Sequence, residues 1–304
     1  MTHSFYQSQA RSQAASHREK KANRARMLIS CPDRPGIVAA VSQFLYEQGA
    51  NIVQSDQYSM DPDGGMFFMR LEFDLPDLEQ RITALQEDFT RVADRFQMRW
   101  SVYRAARRKR IAIFVSKEDH CLLELLWQWQ AGDLDAEISM VISNHPDMRE
   151  LVESFGIPYH HIPVTPETKP EAERKQLELT KGKVDLIVLA RYMQILTGKF
   201  IEEFPNRIIN IHHSFLPAFV GSKPYQQAYD RGVKLIGATA HYVTEELDGG
   251  PIIEQDVQRV SHRENVSDLK RIGRHIERIV LARAVKWHIE DRILVHKNKT
   301  VVFV

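Results

Sequence analysis

Six apolar segments after residue 110 restrict the fold of the chain more than any other feature. None of them alternates with polar residues, and stretches with helical periodicity separate them. Strands of this kind are typical of a parallel sheet that helices cover on both faces. We therefore predict a mostly parallel α/β domain over residues 111–304. The six segments are IAIFVS, AEISMVIS, YHHIPV, VDLIVLA, RIINIH and LIGATAHYV.

Residues 27–104 show a different order of elements. MLIS predicts a strand, and the turn CPDRPG leads into an amphipathic helix that stops at Gly49. NIVQSDQYSM and MFFMRLEFDL predict two strands joined by the turn DPDGG. A helix over 77–95 and the strand FQMRWSVYR follow. The order βαββαβ predicts a ferredoxin-like domain, with two helices on one face of an antiparallel sheet.

Two segments rich in basic residues flank this domain. Residues 1–26 contain six Lys or Arg and one acidic residue, which predicts a basic polar tail and leaves a transit peptide open as the alternative. AARRKR at 105–110 predicts a solvated linker rather than a nucleic-acid patch. Because the net charge is only +1, the chain has no general attraction to nucleic acid or to anionic membranes. We expect neither as a partner.

The cysteines and the apolar runs favour a cytoplasmic protein. Cys31 and Cys121 form no CxxC pair, so we expect neither a disulfide framework nor a thiolate metal site. No apolar run approaches the ~18–20 residues of a membrane span. A reducing compartment fits both observations.

The segment RIINIHHSFLP places hydrogen-bonding side chains where a buried strand ends. Ligands of parallel sheets bind beyond the carboxyl ends of the strands. Asn210 and His212 are two positions apart, so they point to one side of the strand while Ile211 points into the core. An amide and an imidazole together suit a carbonyl that develops negative charge. That both residues only cap a turn is an equal alternative.

The segment VTEELDGGPIIEQ supplies a carboxylate. Asp248 precedes two glycines and a proline, so the chain turns sharply there. Such a carboxylate can orient His212 and deprotonate a water, although turn chemistry alone is the more common role. His160 and His161 are adjacent on a strand and point in opposite directions, so they make a poor metal pair. We predict no metal site.

The segment NIHHSFLPAFVGSKPYQQAYDRGVKLIGATAHYVTEELDGGPII resembles the signature region of the folate-dependent formyltransferases. Their pattern is N-x-H-P-S-x-L-P, followed by a histidine-rich strand and D-x-G-P. The resemblance implies that Asn210, His212 and Asp248 are the catalytic Asn, His and Asp. It also implies a Rossmann-like, mostly parallel sheet of the formyltransferase type, and no permanently bound cofactor.

Two further segments are similar to those that line the folate pteridine pocket of this family, LARYMQILTG at 189–198 and YVTEELD at 242–248. The residues that this resemblance assigns to folate binding are Arg191, Tyr192, Met193, Gln194, Ile195, Leu196, Val243, Glu245 and Leu247.

The segment DRPGIVAAVSQFLYEQGANI resembles an ACT domain, a regulatory module that commonly binds amino acids. An ACT domain before a formyltransferase fold is the arrangement of the formyltetrahydrofolate deformylase family. We expect glycine or methionine as an effector, because both connect to one-carbon supply, and a homo-oligomer formed through the ACT and catalytic domains. The candidate effector contacts are Asp33, Arg34, Gly36 and Asn51, and a purely structural role is as probable for Gly36.

Departures from glycinamide ribonucleotide formyltransferases favour water as the formyl acceptor. In those enzymes a Gly/Ser/Asn turn holds the substrate phosphate. Here the turn is VSKEDHCLLELL, which lacks glycine and carries Glu118 and Asp119, and His213 replaces the usual proline. We therefore expect 10-formyltetrahydrofolate as substrate and its hydrolysis to tetrahydrofolate and formate, in a site with room for water and little else. The formate would feed purine synthesis and the reaction would balance the one-carbon pool.

Three alternatives stay open from the sequence. The first is a folate-dependent formyltransferase that acts on an amine acceptor. The second is a non-catalytic folate sensor under ACT control, which the intact Asn, His and Asp argue against. The third is a nucleic-acid-binding protein, which rests only on the basic tail and RRKR. The role of the loop 116–120 is not predicted.

Overall fold

A computed structural model of the chain describes residues 21–61, 64–218 and 223–304. The chain divides into two compact units. The first ends at Arg108 and also includes Glu290–Leu294 and Val301–Val304, whereas the second comprises Lys109–Ile289 and Val295–Thr300. The sequence analysis assigns all of 111–304 to one domain, so the two short C-terminal segments depart from that division. Residues 1–20 of the predicted tail lie outside the described residues.

The first unit contains a four-stranded antiparallel sheet and two helices. Its elements are β1 (Arg24–Pro32), α1 (Ile37–Glu47), β2 (Asn51–Ser59), β3 (Met66–Asp74), α2 (Leu78–Phe96) and β4 (Arg99–Arg104). The strand order is β2-β3-β1-β4, and each neighbouring pair is antiparallel. The predicted ferredoxin-like βαββαβ fold is confirmed.

Apolar side chains from both helices and the sheet form the core of this unit. On α2, Leu78, Leu85 and Phe89 are buried. The Phe89 ring meets the rings of Phe44 and Trp100 edge to face, with centroids 5.1 and 4.9 Å apart. Aromatic pairs in this geometry stabilise a core beyond the burial of their area.

Arg24 and Arg26, the last two basic residues before residue 27, belong to the sheet and not to a tail. β1 begins at Arg24. Arg24 Nε donates to Asp74 Oδ1 at 2.8 Å, and Arg26 Nε lies 3.7 Å from Glu72 Oε2. Because β3 supplies carboxylates opposite both arginines, their charges are compatible with a partly buried strand. The predicted tail is therefore too long at its C-terminal end.

The second unit holds a seven-stranded sheet. Its elements are β5 (Lys109–Val115), α3 (His120–Ala131), β6 (Ala136–Ser143), α4 (Arg149–Ser154), β7 (Tyr159–His161), α5 (Lys169–Thr180), β8 (Leu186–Ala190), α6 (Gly198–Glu202), β9 (Ile208–His212), α7 (Pro224–Arg231), β10 (Leu235–Tyr242), β11 (Ile252–Arg259) and α8 (Val266–Ile289). A separate two-stranded sheet of β12 (Ile293–His296) and β13 (Lys299–Val302) follows.

The order of the large sheet is β11-β10-β9-β8-β5-β6-β7. Strands β7, β6, β5, β8 and β9 run parallel, whereas β10 is antiparallel to both of its neighbours. The predicted Rossmann-like, mostly parallel sheet is confirmed. β5 starts inside the predicted linker, since the backbone N–H of Arg110 donates to Asp185 Oδ2 at 2.9 Å and draws the segment into the domain.

Parallel pairing of β8 and β9 brings their carboxyl ends to one edge of the sheet. Ala190 ends β8 and His212 ends β9, so the segments that follow both strands are neighbours. Antiparallel pairing of β9 with β10 then sets His241 opposite Asn210. The topology therefore collects polar side chains from three adjacent strands.

The longest helix is α8, with 24 residues, and it carries many charged side chains. No helix in the described part of the chain combines the length and the apolar character that crossing a membrane requires.

Candidate active site

Asn210 and His212 reach the site from the end of β9. They are two positions apart on the strand and so lie on the same side of it. Ile211 between them is buried in the core. Because β9 is an interior strand that is hydrogen-bonded on both edges, it holds the two polar side chains on a rigid support.

Asp248 comes from the loop between β10 and β11. Its φ of +55° lies in the left-handed region, which aspartate tolerates better than most residues. Gly250 lets this loop pack against β10, because a Cβ there would lie only 1.8 Å from the carbonyl oxygen of Tyr242. The Tyr242 N–H in turn donates to the Pro251 carbonyl at 2.9 Å. The loop therefore has one close-packed position.

The three predicted catalytic residues meet. Asp248 Oδ2 lies 3.2 Å from His212 Nδ1. The opposite ring nitrogen, His212 Nε2, is buried and has no hydrogen-bond partner among the described residues. A buried polar atom without a partner is costly unless a ligand supplies one. The geometry thus presents Nε2 as the atom that is free to act on a substrate.

His241 is a fourth member of the cluster that the sequence analysis does not single out. Its Nδ1 donates to the Tyr242 carbonyl at 2.9 Å, because a carbonyl can only accept. Its Nε2 lies 3.2 Å from Asn210 Nδ2 and 3.7 Å from Asp248 Oδ1. Because an amide nitrogen only donates, Nε2 accepts one hydrogen of the Asn210 amide and leaves the second for a ligand.

Asp248 is ionised at neutral pH. Burial alone would raise the pKa of its carboxyl, but the contact with His212 and the nearby His241 ring outweigh that effect and hold the pKa well below its usual value. The cluster therefore contains a fixed negative charge beside two imidazoles.

A cavity of about 410 Å³ opens onto these residues. Asn210, His212, His241 and Asp248 line one part of it. All nine residues that the resemblance assigns to folate binding also line it, namely Arg191, Tyr192, Met193, Gln194, Ile195, Leu196, Val243, Glu245 and Leu247. A cavity of this volume is within the usual range for small-molecule sites.

Hydrogen bonds fix both ends of the segment 191–196. The Met193 N–H donates to Ser116 Oγ at 3.0 Å, and Ser116 donates to Asn144 Oδ1 at 2.7 Å. At the other end, Thr197 donates from its N–H and its hydroxyl to the Glu173 carboxylate, at 3.0 and 2.5 Å. The start of the loop 116–120 therefore supports the cavity wall.

The side chains of this segment differ in their surroundings. Tyr192 is buried, and its hydroxyl accepts a hydrogen bond from Gln176 at 2.9 Å, so its ring belongs to the core as much as to the cavity wall. Met193, Ile195 and Leu247 are instead 59, 61 and 55% exposed. Exposed apolar side chains around a cavity are typical of a surface that a ligand covers.

A second cavity of about 390 Å³ adjoins the first, and Arg191, His213 and Lys223 line both. The surroundings of the catalytic residues are therefore wider than the sequence analysis expects. The reason is that the turn after β5 leaves space beside His213.

A buried carboxylate lies in the wall of the second cavity. Glu277 on α8 accepts hydrogen bonds from Tyr225 at 2.6 Å and from His120 at 2.8 Å, and lies 3.4 Å from Arg191 Nε. Burial opposes its ionisation, but the hydrogen bond from His120 and the charge of Arg191 prevail and lower its pKa to about 2. The sequence gives no local signal for this cluster, since its members are far apart in the chain.

Among the described residues, one group has atoms close enough to hold a metal ion, namely His120, Cys121 and Glu277. Its donor set fits a hydrogen-bonded cluster better. Burial raises the pKa of the Cys121 thiol well above its usual value, so the thiolate that a metal needs is disfavoured. The positive Arg191 beside Glu277 also opposes a cation.

The turn between β1 and α1 carries three of the predicted effector residues. The Asp33 carboxylate accepts a hydrogen bond from the Ser59 hydroxyl. The Arg34 guanidinium lies over the Phe96 ring, 4.7 Å from its centroid. Gly36 has a φ of +92° directly before α1, a region that favours glycine.

The fourth predicted effector residue, Asn51, lies elsewhere. It is the first residue of β2 and pairs with Asp74, whereas Ser59, which contacts Asp33, is the last. At about 3.3 Å per residue the two ends of β2 are roughly 26 Å apart. Within one chain Asn51 therefore lies apart from the other three residues, and its part in an effector site stays a prediction.

Comparisons with known proteins agree with this architecture. A family model described as Formyl transferase matches residues 109–285, and the ACT domain model matches residues 25–90. The fold and the site thus define an ACT-linked enzyme of the formyl transferase class.

The relatives define the family more closely. The formyltetrahydrofolate deformylase of Bacillus subtilis (strain 168) is 60% identical over 288 residues, which cover 94% of this chain and 96% of the relative. That of Mycobacterium tuberculosis (strain H37Rv) is 57% identical over 279 residues, 91% and 90% of the two chains. A crystal structure of a formyltetrahydrofolate deformylase from Pseudomonas syringae pv. tomato is 50% identical, covers 96% of this chain and 99% of its own, and has a TM-score of 0.88. The chain belongs to the formyltetrahydrofolate deformylase family, and the predicted resemblance is confirmed.

Proposed function

We propose that Asn210, His212 and Asp248 carry out the hydrolysis of 10-formyltetrahydrofolate to tetrahydrofolate and formate. The observation that carries this assignment is the 3.2 Å contact of Asp248 with His212 Nδ1, which leaves the buried Nε2 without a protein partner. Membership of the deformylase family supplies the reaction, and the geometry supplies the roles.

Asp248 activates the attacking water. Its carboxylate accepts a hydrogen bond from the water and takes a proton as the new C–O bond forms. Because its pKa is held well below the usual value, proton transfer occurs only as attack makes the water oxygen strongly acidic. The formyl carbon then becomes tetrahedral and its oxygen becomes negative.

Asn210 and His212 stabilise that oxyanion. The second Asn210 amide hydrogen and a protonated His212 Nε2 donate to it. His212 then gives its proton to N10 of the folate, so that the C–N bond breaks and tetrahydrofolate leaves neutral at that nitrogen. The acid formed loses its remaining proton to solvent as formate, and the proton on Asp248 returns to the His212 imidazole, so the balance consumes one water and releases one proton. No metal takes part in these steps.

We propose that the nine residues at 191–196, 243, 245 and 247 bind the folate ring system. The exposed apolar side chains of Met193, Ile195 and Leu247 can cover a pteridine, and the fixed main chain of 191–196 offers hydrogen-bonding groups along its edge. Replacing Leu247 by Ser should raise KM with little change in kcat, since it removes only binding that ground state and transition state share.

The decisive experiment is formate release from 10-formyltetrahydrofolate without any added amine. Hydrolysis predicts one formate for each tetrahydrofolate formed, with Asp248→Asn inactive. A transferase to an amine acceptor predicts no release until the amine is present. The second cavity gives that alternative room, so glycinamide-type amines belong in a parallel reaction.

We further propose regulation by glycine or methionine at the ACT domain. Asp33, Arg34 and Gly36 supply a charged turn that suits the ammonium and carboxylate of an amino acid. Calorimetric titration of each amino acid, with activity measured at the same concentrations, tests this. An effector should bind and should change the rate of hydrolysis. If an amino acid neither binds nor changes the rate, it is excluded as an effector.

The assembly and setting of the enzyme are also proposals. β2 and β4 are the edges of the first sheet, and β2 exposes Val53 and Tyr58, so we infer that β2 meets a second copy in a homo-oligomer. Light scattering should give a multiple of 35.2 kDa. Cys31 and Cys121 are free and buried, which suits a reducing cytoplasm, where formate can supply purine synthesis.

A further inference from the structure

We propose that the second cavity is a binding site for a small carboxylate, and that released formate occupies it before leaving the enzyme. The inference rests on the proposed hydrolysis, because formate is its product. It adds a site and a route that the catalytic residues do not define.

The second cavity begins where formate is made. Arg191, His213 and Lys223 line both cavities. The His213 ring lies 5.2 Å from the ring of His212, centroid to centroid. A carbonyl carbon held at His212 is therefore close to the boundary between the two cavities. Tetrahydrofolate fills the first cavity after the reaction, so the second is the open direction for the smaller product.

Cationic side chains outnumber carboxylates in the lining of the second cavity. Its carboxylates are Glu118 and Glu277, and its permanent cations are Arg191, Lys223, Lys270 and Arg274. Four positive charges against two negative charges give this wall a positive excess. A positive, partly enclosed cavity concentrates small anions from its surroundings.

The two carboxylates are already engaged. Glu277 accepts hydrogen bonds from His120 and Tyr225 and is nearly fully buried, so it acts as an internal counter-ion for the cluster. Glu118 lies 3.8 Å from both Arg274 and His120. Neither carboxylate is therefore free to cancel the remaining cations.

Several donors are left for a ligand. Among the residues that the structure describes, no carboxylate lies within ion-pair distance of Lys223 or Lys270. Arg191 Nε is buried and makes no hydrogen bond of good geometry, although Glu277 is 3.4 Å away. A planar carboxylate can accept from a guanidinium and an ammonium at once.

The small size of formate limits how tightly it can bind in the second cavity. A volume of about 390 Å³ is many times that of formate, so water fills the remainder. For a ligand of three heavy atoms the attainable affinity is roughly a millimolar Kd. A weak site of this kind suits a product that has to leave in each turnover.

Titration of ¹³C-formate into the whole enzyme saturated with tetrahydrofolate, followed by NMR line width, tests the proposal. We expect formate to bind with tetrahydrofolate in place. The double variant Lys270→Gln, Arg274→Gln should weaken this binding by ~10-fold, because it removes two of the four cations.

The matched control is Arg271→Gln, Arg283→Gln, which removes two exposed arginines from the same helix outside both cavities. This variant should bind formate as the unchanged enzyme does. Equal formate affinity in both double variants would overturn the proposal, and so would competition between formate and tetrahydrofolate. Tighter binding of inorganic phosphate than of formate would overturn the assignment to a carboxylate. A failure of the proposed hydrolysis is a separate result, seen as absent formate release by the unchanged enzyme.

Discussion

At the scale of single residues, the two ends of each imidazole decide the chemistry. His212 directs Nδ1 to a carboxylate that is ionised at neutral pH and keeps Nε2 for the substrate. His241 uses Nδ1 on a backbone carbonyl and Nε2 on Asn210. The second histidine thus orients the amide, and the first can donate to the same oxyanion.

Asn210→Ala should lower kcat by ~10²–10³, because it removes one oxyanion donor. Folate affinity, measured by titration with tetrahydrofolate, should change little. Asn23→Ala is the matched control, since Asn23 is exposed and belongs to the first unit. A kcat near that of the control would contradict the role of Asn210.

Sequence reasoning could find Asn210, His212 and Asp248 because each lies beside a strand end or a turn with its own signal. His241 lacks such a signal. Its place opposite Asn210 depends on the register of two antiparallel strands, which no residue of either strand specifies by itself. Glu277 was missed for a similar reason, since 157 positions separate it from His120.

At the scale of elements, the loop after β10 holds the catalytic carboxylate through one glycine. Gly250→Ala should destabilise the fold by more than about 2 kcal/mol, because the new Cβ meets the rigid Tyr242 carbonyl. It should also lower kcat by at least ~10-fold, since a shift of the loop displaces Asp248. Urea unfolding and turnover are the measurements.

Gly249→Ala is the matched control for that change. The atoms nearest to its Cβ would all belong to the side chain of Glu246, which is exposed and can move away. We expect a small loss of stability and nearly normal turnover. Equal damage from both substitutions would show that the loop, and not its contact with β10, is the sensitive feature.

The second unit should also depend on the charge of Glu277 on α8. The pKa of Glu277 in the folded protein is about 2, below the ordinary 4.5. Ionisation of this carboxyl therefore contributes ~3 kcal/mol to the free energy of unfolding. The contribution is fully present above pH 4.5 and is lost as the pH falls towards 2. Glu277→Gln should therefore destabilise the protein at pH 7, and the difference from the unchanged protein should shrink below pH 4.5. Urea unfolding at several pH values measures it, with the exposed Glu202→Gln as control. A difference that stays constant down to pH 3 would contradict this account.

The elements themselves were largely predictable. The period of the apolar residues found the order βαββαβ and the strands of the large sheet. The predicted ends of the elements were less accurate. At Arg24 a basic segment forms part of a strand, because Asp74 lies opposite it. The partner that neutralises a charge is a tertiary fact, and local composition cannot report it.

At the scale of the whole molecule, the first unit is built from separate pieces of the chain. Arg70 on β3 is almost fully buried, and its Nε donates to the Asp291 carbonyl at 3.0 Å while an Nη donates to the Glu290 carbonyl at 3.2 Å. Arg26 reaches the Asp291 carboxylate at 3.3 Å. Because 221 positions separate Arg70 from Asp291, no pattern within 27–104 reveals that this domain is incomplete without the C-terminal segment.

Ending the chain at Ile289 should therefore destabilise the first unit by about 2–3 kcal/mol, because a buried guanidinium loses two acceptors. Arg70→Met in the shortened chain should recover part of that loss, since an apolar side chain of similar length needs no acceptors there. In the full chain the same substitution should stabilise the protein less. Thermal unfolding of the four proteins, followed by circular dichroism, gives the coupling. If Arg70→Met has the same effect in both backgrounds, the C-terminal segment stabilises the first unit by contacts other than those of Arg70.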